Sequence, residues 1–167
     1  VDSVFKGQLD VGVITHKPDA DAFSGQSIGH EDLCLITPKS VGSDMPDFSD
    51  LQALGFIGHP DGQRYVEMLM PKNFDRFSGF SKIRLRGFVN QITQIPAPVA
   101  AGAGYTILPR SGVESFPDFK RLSIARLKHS IRQELWIIHR AGRVMPARCR
   151  WAIEEIKKLA DMLSAAN

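Results

Sequence analysis

Five histidines, His16, His30, His59, His129 and His139, are the side chains of this 167-residue sequence best suited to proton transfer or metal ligation. Their spacing excludes the usual forms of that chemistry. None belongs to a His-Glu-x-x-His motif or another metal pattern, so no metal is expected. There is no Gly-x-Ser-x-Gly elbow and no Walker loop. Gly102-Ala103-Gly104 lacks the third glycine of a dinucleotide fingerprint and follows a helical pattern, so no nucleotide cofactor is expected either. Asp44, Asp47 and Asp50 lack the ladder spacing and terminal glutamate of an EF-hand. The acid pairs Asp19/Asp21 and Glu154/Glu155 fall in loop or exposed-helix positions, and no nucleophile stands beside a base. Catalysis is unmotivated.

What remains is a set of loops at strand ends, rich in small hydrogen-bonding groups. Ile14, Thr15 and His16 end the first strand pattern. His59, Asp61, Gly62, Gln63, Arg64 and Tyr65 follow a second one and open a helix, whose unpaired N–H groups favour an anion. Arg64 offers a charged donor there, against the plainer reading of a solvent-facing helix residue. Asn90 and Gln91 open a further helix, and Thr106 lies on the strand after it. The plainer reading of Asn90 is an N-cap, and that of His59 a turn residue beside Pro60. This chemistry suits reversible binding of a small molecule.

The elements that must position these groups centre on residues 89–109. Ile92, Ile95 and Val99 recur at helical spacing after the cap at Asn90. Gly102 and Gly104 suit a corner, and Tyr105–Leu108 is a buried strand stopped by Pro109. Pro96 and Pro98 imply a kink, or a helix that starts near Pro96. Upstream, Val4–Gln8 reads as a helix tail with Gly7 near its C-cap, and Leu9–Ile14 as a strand buried on both faces in a parallel sheet. Residues 19–29 read as a polar loop, Glu31–Thr37 as a strand, and Asp47 or Ser49 as the cap of a short helix around Leu51 and Leu54. Gly55–His59 is a strand, followed by an amphipathic helix that Pro71 ends. Lys82–Phe88 is an alternating strand, residues 112–118 a turn or short helix, Leu122–Leu127 an irregular strand and Gln133–His139 a clear one. Pro146 then opens a helix to about Leu163 with Ala152, Ile156, Leu159, Ala160 and Leu163 inward. The alternation implies an α/β fold with a largely parallel sheet. The strands Glu31–Thr37 and Gln133–His139 bracket a domain-sized middle segment and are the natural pair of crossings between two lobes.

Hydrophobic residues make up 43% of the chain, enough to build real cores, and no stretch has the apolar length of a membrane span. The opening VDSVFKGQLD has neither a basic nor an apolar leader region. Cys34 and Cys149 are isolated, as expected of packing residues in a reducing compartment. A net charge of +3 from scattered basic residues is too mild to argue for nucleic-acid binding, and no helix-turn-helix pattern occurs.

Four segments carry a resemblance. VAAGAGYTILP resembles the "VaaGlGia.lP" segment of the LysR-type transcriptional regulators, in their C-terminal effector-binding domain. Gln8–Ile14 resembles the family's "g.lDlgi" strand, His30–Ile36 its "e.l.lv" crossover strand, and Glu134–Arg140 its closing "r.lwlv.r". The four stand in the family's order over nearly the whole chain. The resemblance implies a two-lobed fold similar to type 2 periplasmic binding proteins. Lobe I would comprise residues 1–30 and 130–167, incomplete at its N-terminus, and lobe II residues 31–129. It also implies a small effector between the lobes, a carboxylate from the helix N-termini and Arg64, contacted at the strand-end residues named above. Further implications are a homodimer or tetramer, DNA contacted through an N-terminal helix-turn-helix outside this chain, and a cytoplasmic location without membrane attachment. An exported solute-binding protein and, less directly, a dehydratase-like enzyme share the architecture and are the rival readings.

Overall fold

The computed structural model describes residues 1–165, with side chains to residue 162. The first elements are α1 (Asp2–Phe5), β1 (Val11–Ile14), β2 (Phe23–Pro38), α2 (Phe48–Leu54), β3 (Phe56–Gly58) and α3 (Gly62–Asn73). They are followed by β4 (Leu85–Phe88), α4 (Pro96–Ala100), β5 (Thr106–Pro109), α5 (Arg110–Glu114), β6 (Leu122–Ile124), β7 (Ile131–Arg140) and α6 (Ala147–Ala165). The chain forms two compact units, Val1–Glu31 with Arg132–Asn167, and Asp32–Ile131. It passes from one to the other within β2 and again at the start of β7.

In the first unit β1 lies antiparallel to β7, with Val11 opposite His139 and Ile14 opposite Trp136. Val4 of α1 packs with Phe23 and Ile138, while Ile153, Ile156 and Ala160 of α6 cover Ile28 and Ile137. Gly7, at φ +73, turns the chain out of α1 where a side chain would be strained. Asp10 receives Arg143 at 2.9 Å and Arg148 at 3.4 Å, which ties the start of β1 to the approach and first turn of α6. Three expectations change here. Leu9–Ile14 is not buried on both faces: Leu9 and Val13 are more than half exposed. Residues 23–29 belong to β2 rather than to a loop, because the crossing strand runs sixteen residues. On α6, Leu159 faces solvent at 59% exposure and Ile153 takes its place in the core; Leu163 lies outside the described side chains.

The second unit is built on the buried half of β2, where Leu33 pairs with Pro109 of β5 and Thr37 with Ser123 of β6, both antiparallel. The expected largely parallel sheet is not found: β5 and β6 flank β2 antiparallel, and the parallel pairing lies in a separate two-stranded sheet of β3 and β4, with an isolated parallel bridge from Phe56 to Tyr105. An apolar run such as Leu33–Ile36 reports burial on both faces and carries no information on strand direction. Phe56 and Tyr105, both fully buried, meet edge-on with centroids 5.3 Å apart and anchor a core shared with Leu51, Val66, Leu69 and Met70. Burying side chains of this size contributes about 1.5–3 kcal/mol each. Helix α3 continues through Pro71, contrary to expectation. Pro71 and Glu67, the residue whose carbonyl loses its donor, are both exposed, so water can satisfy that carbonyl. The helix ends at Asn73 instead, whose buried amide donates to the carbonyls of Leu69 and His129 and accepts the His129 N–H. Asn90 caps no helix: a 3-10 turn at Ile92–Gln94 intervenes, and α4 begins with Pro96 in its first turn. Asp47 holds the N-cap position of α2 without a side-chain capping bond. Lys82–Phe88 shortens to Leu85–Phe88, every residue of it exposed, so its alternation buries neither face.

Gly104 lies where β5 meets β3. A Cβ there would come within 2.6 Å of the Gly55 carbonyl oxygen and 2.9 Å of the Ile57 side chain. Gly104→Ala is expected to cost about 1–3 kcal/mol in urea unfolding through overpacking against backbone. Gly112→Ala, with open space around it in α5, should be neutral or slightly stabilising; equal effects at the two positions would remove the steric explanation.

Candidate functional site

A cavity of about 240 Å³ lies within the second unit, at the C-terminal ends of β3 and β5. His59, Pro60, Asp61 and Tyr65 line it from the turn and first helical turn after β3, Asn90, Ile92 and Ile95 from the segment before α4, and Leu108 and Pro109 from β5. The local sequence explains the shape. Gly62 begins α3 so close to the preceding residues that a Cβ would stand 3.1 Å from the Phe56 ring and 3.3 Å from that of His59. The Gly62 N–H donates to the His59 carbonyl at 2.9 Å and closes the turn.

His59 is buried at 5% exposure, with Nε2 3.0 Å from the Ile107 carbonyl. A carbonyl only accepts, so Nε2 carries the proton and Nδ1 of the neutral ring is left as an acceptor. Burial lowers the His59 pKa below its ordinary 6.5, outweighing the opposite pulls of the Ile107 carbonyl and the Asp61 charge. Its ring is 5.6 Å from that of Tyr65, over which the Arg64 guanidinium sits at 5.8 Å. The site therefore presents a neutral imidazole, a phenol and an amide around an apolar floor of Ile95 and Leu108.

Of the side chains singled out from the sequence, His59, Asp61, Tyr65 and Asn90 converge on this cavity. Gly62 shapes it without lining it. Gln63 is exposed and donates to Glu67 at 2.8 Å, Arg64 stacks on Tyr65, and Gln91 is exposed off the lining. Thr106 is not in the cavity lining: it is fully buried and its hydroxyl donates to the Ile57 carbonyl at 2.8 Å, joining β5 to β3. Ile14, Thr15 and His16 belong to the first unit, where Ile14 packs against the Val4 cluster and His16 is exposed. Pro60, Ile92, Ile95, Leu108 and Pro109 escaped sequence reasoning as lining residues. The signal was present for Leu108, which shares a strand face with Thr106 two residues earlier. Among the described residues no three His, Cys, Asp or Glu side chains gather as a metal site, and no helix is long and apolar enough to cross a membrane.

The fold is the type 2 periplasmic-binding-protein-like one, shared with solved structures of low sequence identity. The chain is similar to the CcmR regulatory domain of Synechocystis PCC6803 in complex with 2-PG, at 14% identity and a TM-score of 0.71, over 95% of this chain and 77% of that one. It is similar to full-length CbnR complexed with its target DNA, at 20% identity and a TM-score of 0.63, over 95% of this chain and 55% of that one. The effector binding domain of QuiR in complex with shikimate matches at 9% identity and a TM-score of 0.65, over 98% of this chain and 73% of that one. Comparison with curated protein sequences finds no match. The model of the LysR substrate binding domain matches residues 1–161, and the chain belongs to that family.

The lowered His59 pKa gives a signed expectation. Below pH 6.5 the unfolded chain binds a proton at this position more readily than the folded one, so stability is full above that pH and is lost as pH falls below it. Thermal unfolding between pH 7 and 5 should therefore show a smaller loss for His59→Gln than for the unaltered chain. Parallel profiles would clear His59 of the effect.

Proposed function

We propose that this chain is the effector-sensing part of a DNA-binding transcriptional regulator, and that the cavity at the ends of β3 and β5 receives part of a small organic ligand. The observation that carries the reading is the convergence of His59, Tyr65 and Asn90 on an apolar floor, because ligand sites combine apolar walls with a few placed polar groups. The family membership supports it, as do the small ligands named for CcmR and QuiR. The two compact units correspond, on this reading, to the two lobes of the fold. The regulator acts in the cytoplasm as a homodimer or tetramer, and DNA is contacted by a helix-turn-helix outside this chain. Binding shifts its state only through a difference in affinity for two conformations. The reading assigns no catalysis.

For the ligand's polar end we assign a carboxylate at the start of α3, where the helix N-terminus favours negative charge and Arg64 stands over Tyr65. The lining contains no lysine or arginine and does contain Asp61, so the acid binds against the repulsion of one like charge. A screen of small carboxylic acids by thermal shift should find a binder that stabilises by about 2.7 kcal/mol at a hundredfold excess over its Kd. Asn90→Ala should then weaken it roughly two- to tenfold through one lost hydrogen bond, while Asp61→Asn should tighten it by removing repulsion. Weaker binding in Asp61→Asn would place the anionic group elsewhere, and indifference to every acid and neutral analogue would defeat the assignment of the cavity.

A further inference from the structure

A second hollow in the same unit, of about 360 Å³, has a different chemistry. It is lined by Lys39, Ser40, Lys120 and Arg121, with Pro38 and the backbone corner at residues 100–102 closing it. Register explains the gathering. The antiparallel ladder of β2 and β6 ends with Pro38 opposite Leu122. Two 3-10 turns, Lys39–Val41 and Phe119–Arg121, then leave from the same end of that ladder. Sequence-distant cations are thereby brought to one place, and no carboxylate lines the hollow, although Arg121 also pairs with Asp118 of its own turn at 3.9 Å. One register step into the ladder, the paired residues Thr37 and Ser123 carry buried hydroxyls without a hydrogen-bond partner among the described residues, though neither lines the hollow. Three like charges against one paired carboxylate leave a net positive hollow that raises the local potential for a compact anion, and an arginine with two lysines matches the oxygens of a tetrahedral oxyanion.

We propose that this hollow is an anion site that takes a phosphate group, separate from the cavity at His59. The phosphate could be carried by inorganic phosphate, by a small phosphomonoester or by the backbone of a nucleic acid, and the assignment is to the first two, because the site is a hollow of limited volume and not an extended basic face.

The test is a titration of the whole chain with inorganic phosphate at fixed ionic strength, balanced with sodium chloride so that general screening stays constant, followed by backbone amide shifts. Saturable shifts at residues 39–40, 101–102 and 120–121, reproduced by glycerol phosphate and weakened at least fivefold in Lys39→Gln/Lys120→Gln, are the expected result. Arg121→Lys should retain binding better than Arg121→Gln, since it keeps the charge. Identical responses to chloride and phosphate, shifts confined to His59 and Asn90, or tight binding of duplex DNA with none of phosphate would each overturn the proposal. The double variant is a surface change, and an unchanged melting temperature without phosphate separates lost binding from lost folding.

Discussion

The structure of the second unit depends on how closely the backbone of β5 approaches that of β3. The Tyr105 N–H donates to the Gly55 carbonyl at 2.9 Å, and the Ile57 N–H donates to the Tyr105 carbonyl at 2.8 Å. That spacing leaves no room for a side chain at Gly104. Two side chains then continue the ladder where the strands diverge: the Thr106 hydroxyl reaches the Ile57 carbonyl, and the His59 ring reaches the Ile107 carbonyl. Each bond is worth only about 1 kcal/mol net. Their geometric effect is larger, because together they fix where the chain leaves β3 and hence where α3 begins.

The neutrality of His59 follows from that geometry. A ring held against a backbone carbonyl in a buried setting has little to gain from a second proton, so it serves as a fixed dipole. Ile95 and Leu108 beside it are buried and apolar, which strengthens a polar contact made against them. On the proposed reading, discrimination between similar small molecules rests on whether a candidate matches the imidazole of His59 and the amide of Asn90 at once. A ligand that lacks one matching group leaves a desolvated polar atom unpaired, at a cost of about 1–3 kcal/mol. Shape alone, in an apolar pocket, discriminates less.

Much of this was legible in the sequence where a residue type answers to one physical demand. The glycine corner before Tyr105, the turn at Pro60 and the strands at Phe56 and Gln133 were placed within a few residues of where they lie. The convergence of His59, Asp61, Tyr65 and Asn90 followed from the rule that ligands gather at strand ends. The failures have physical causes as well. Strand direction is invisible in an apolar run. Pro71 reads as a helix stop, yet an exposed helical face tolerates it because water replaces the lost donor. Asn90 has the composition of a cap, but two prolines downstream set the helix start at Pro96, where their fixed φ is already helical. The sequence around Thr106 shows a hydroxyl on a strand but not its partner, the Ile57 carbonyl 49 residues away, which engages it.

Two of the concave regions of this unit, at His59 and at Lys39, differ in their electrostatics. The cavity at His59 has one formal charge in its lining, the carboxylate of Asp61, whereas the hollow at Lys39 has three positive charges and none of opposite sign. A helix N-terminus offers about half an elementary charge, and its effect fades within the first turn, so anything anionic at the start of α3 must bind chiefly through hydrogen bonds and apolar contact. Exposed lysines and arginines act through a longer-ranged field, which physiological salt cuts off at about 8 Å. Ionic strength should consequently act on the two regions in different degrees. On the two proposals, occupancy of the first depends on which atoms the ligand presents, and occupancy of the second on how much charge it carries.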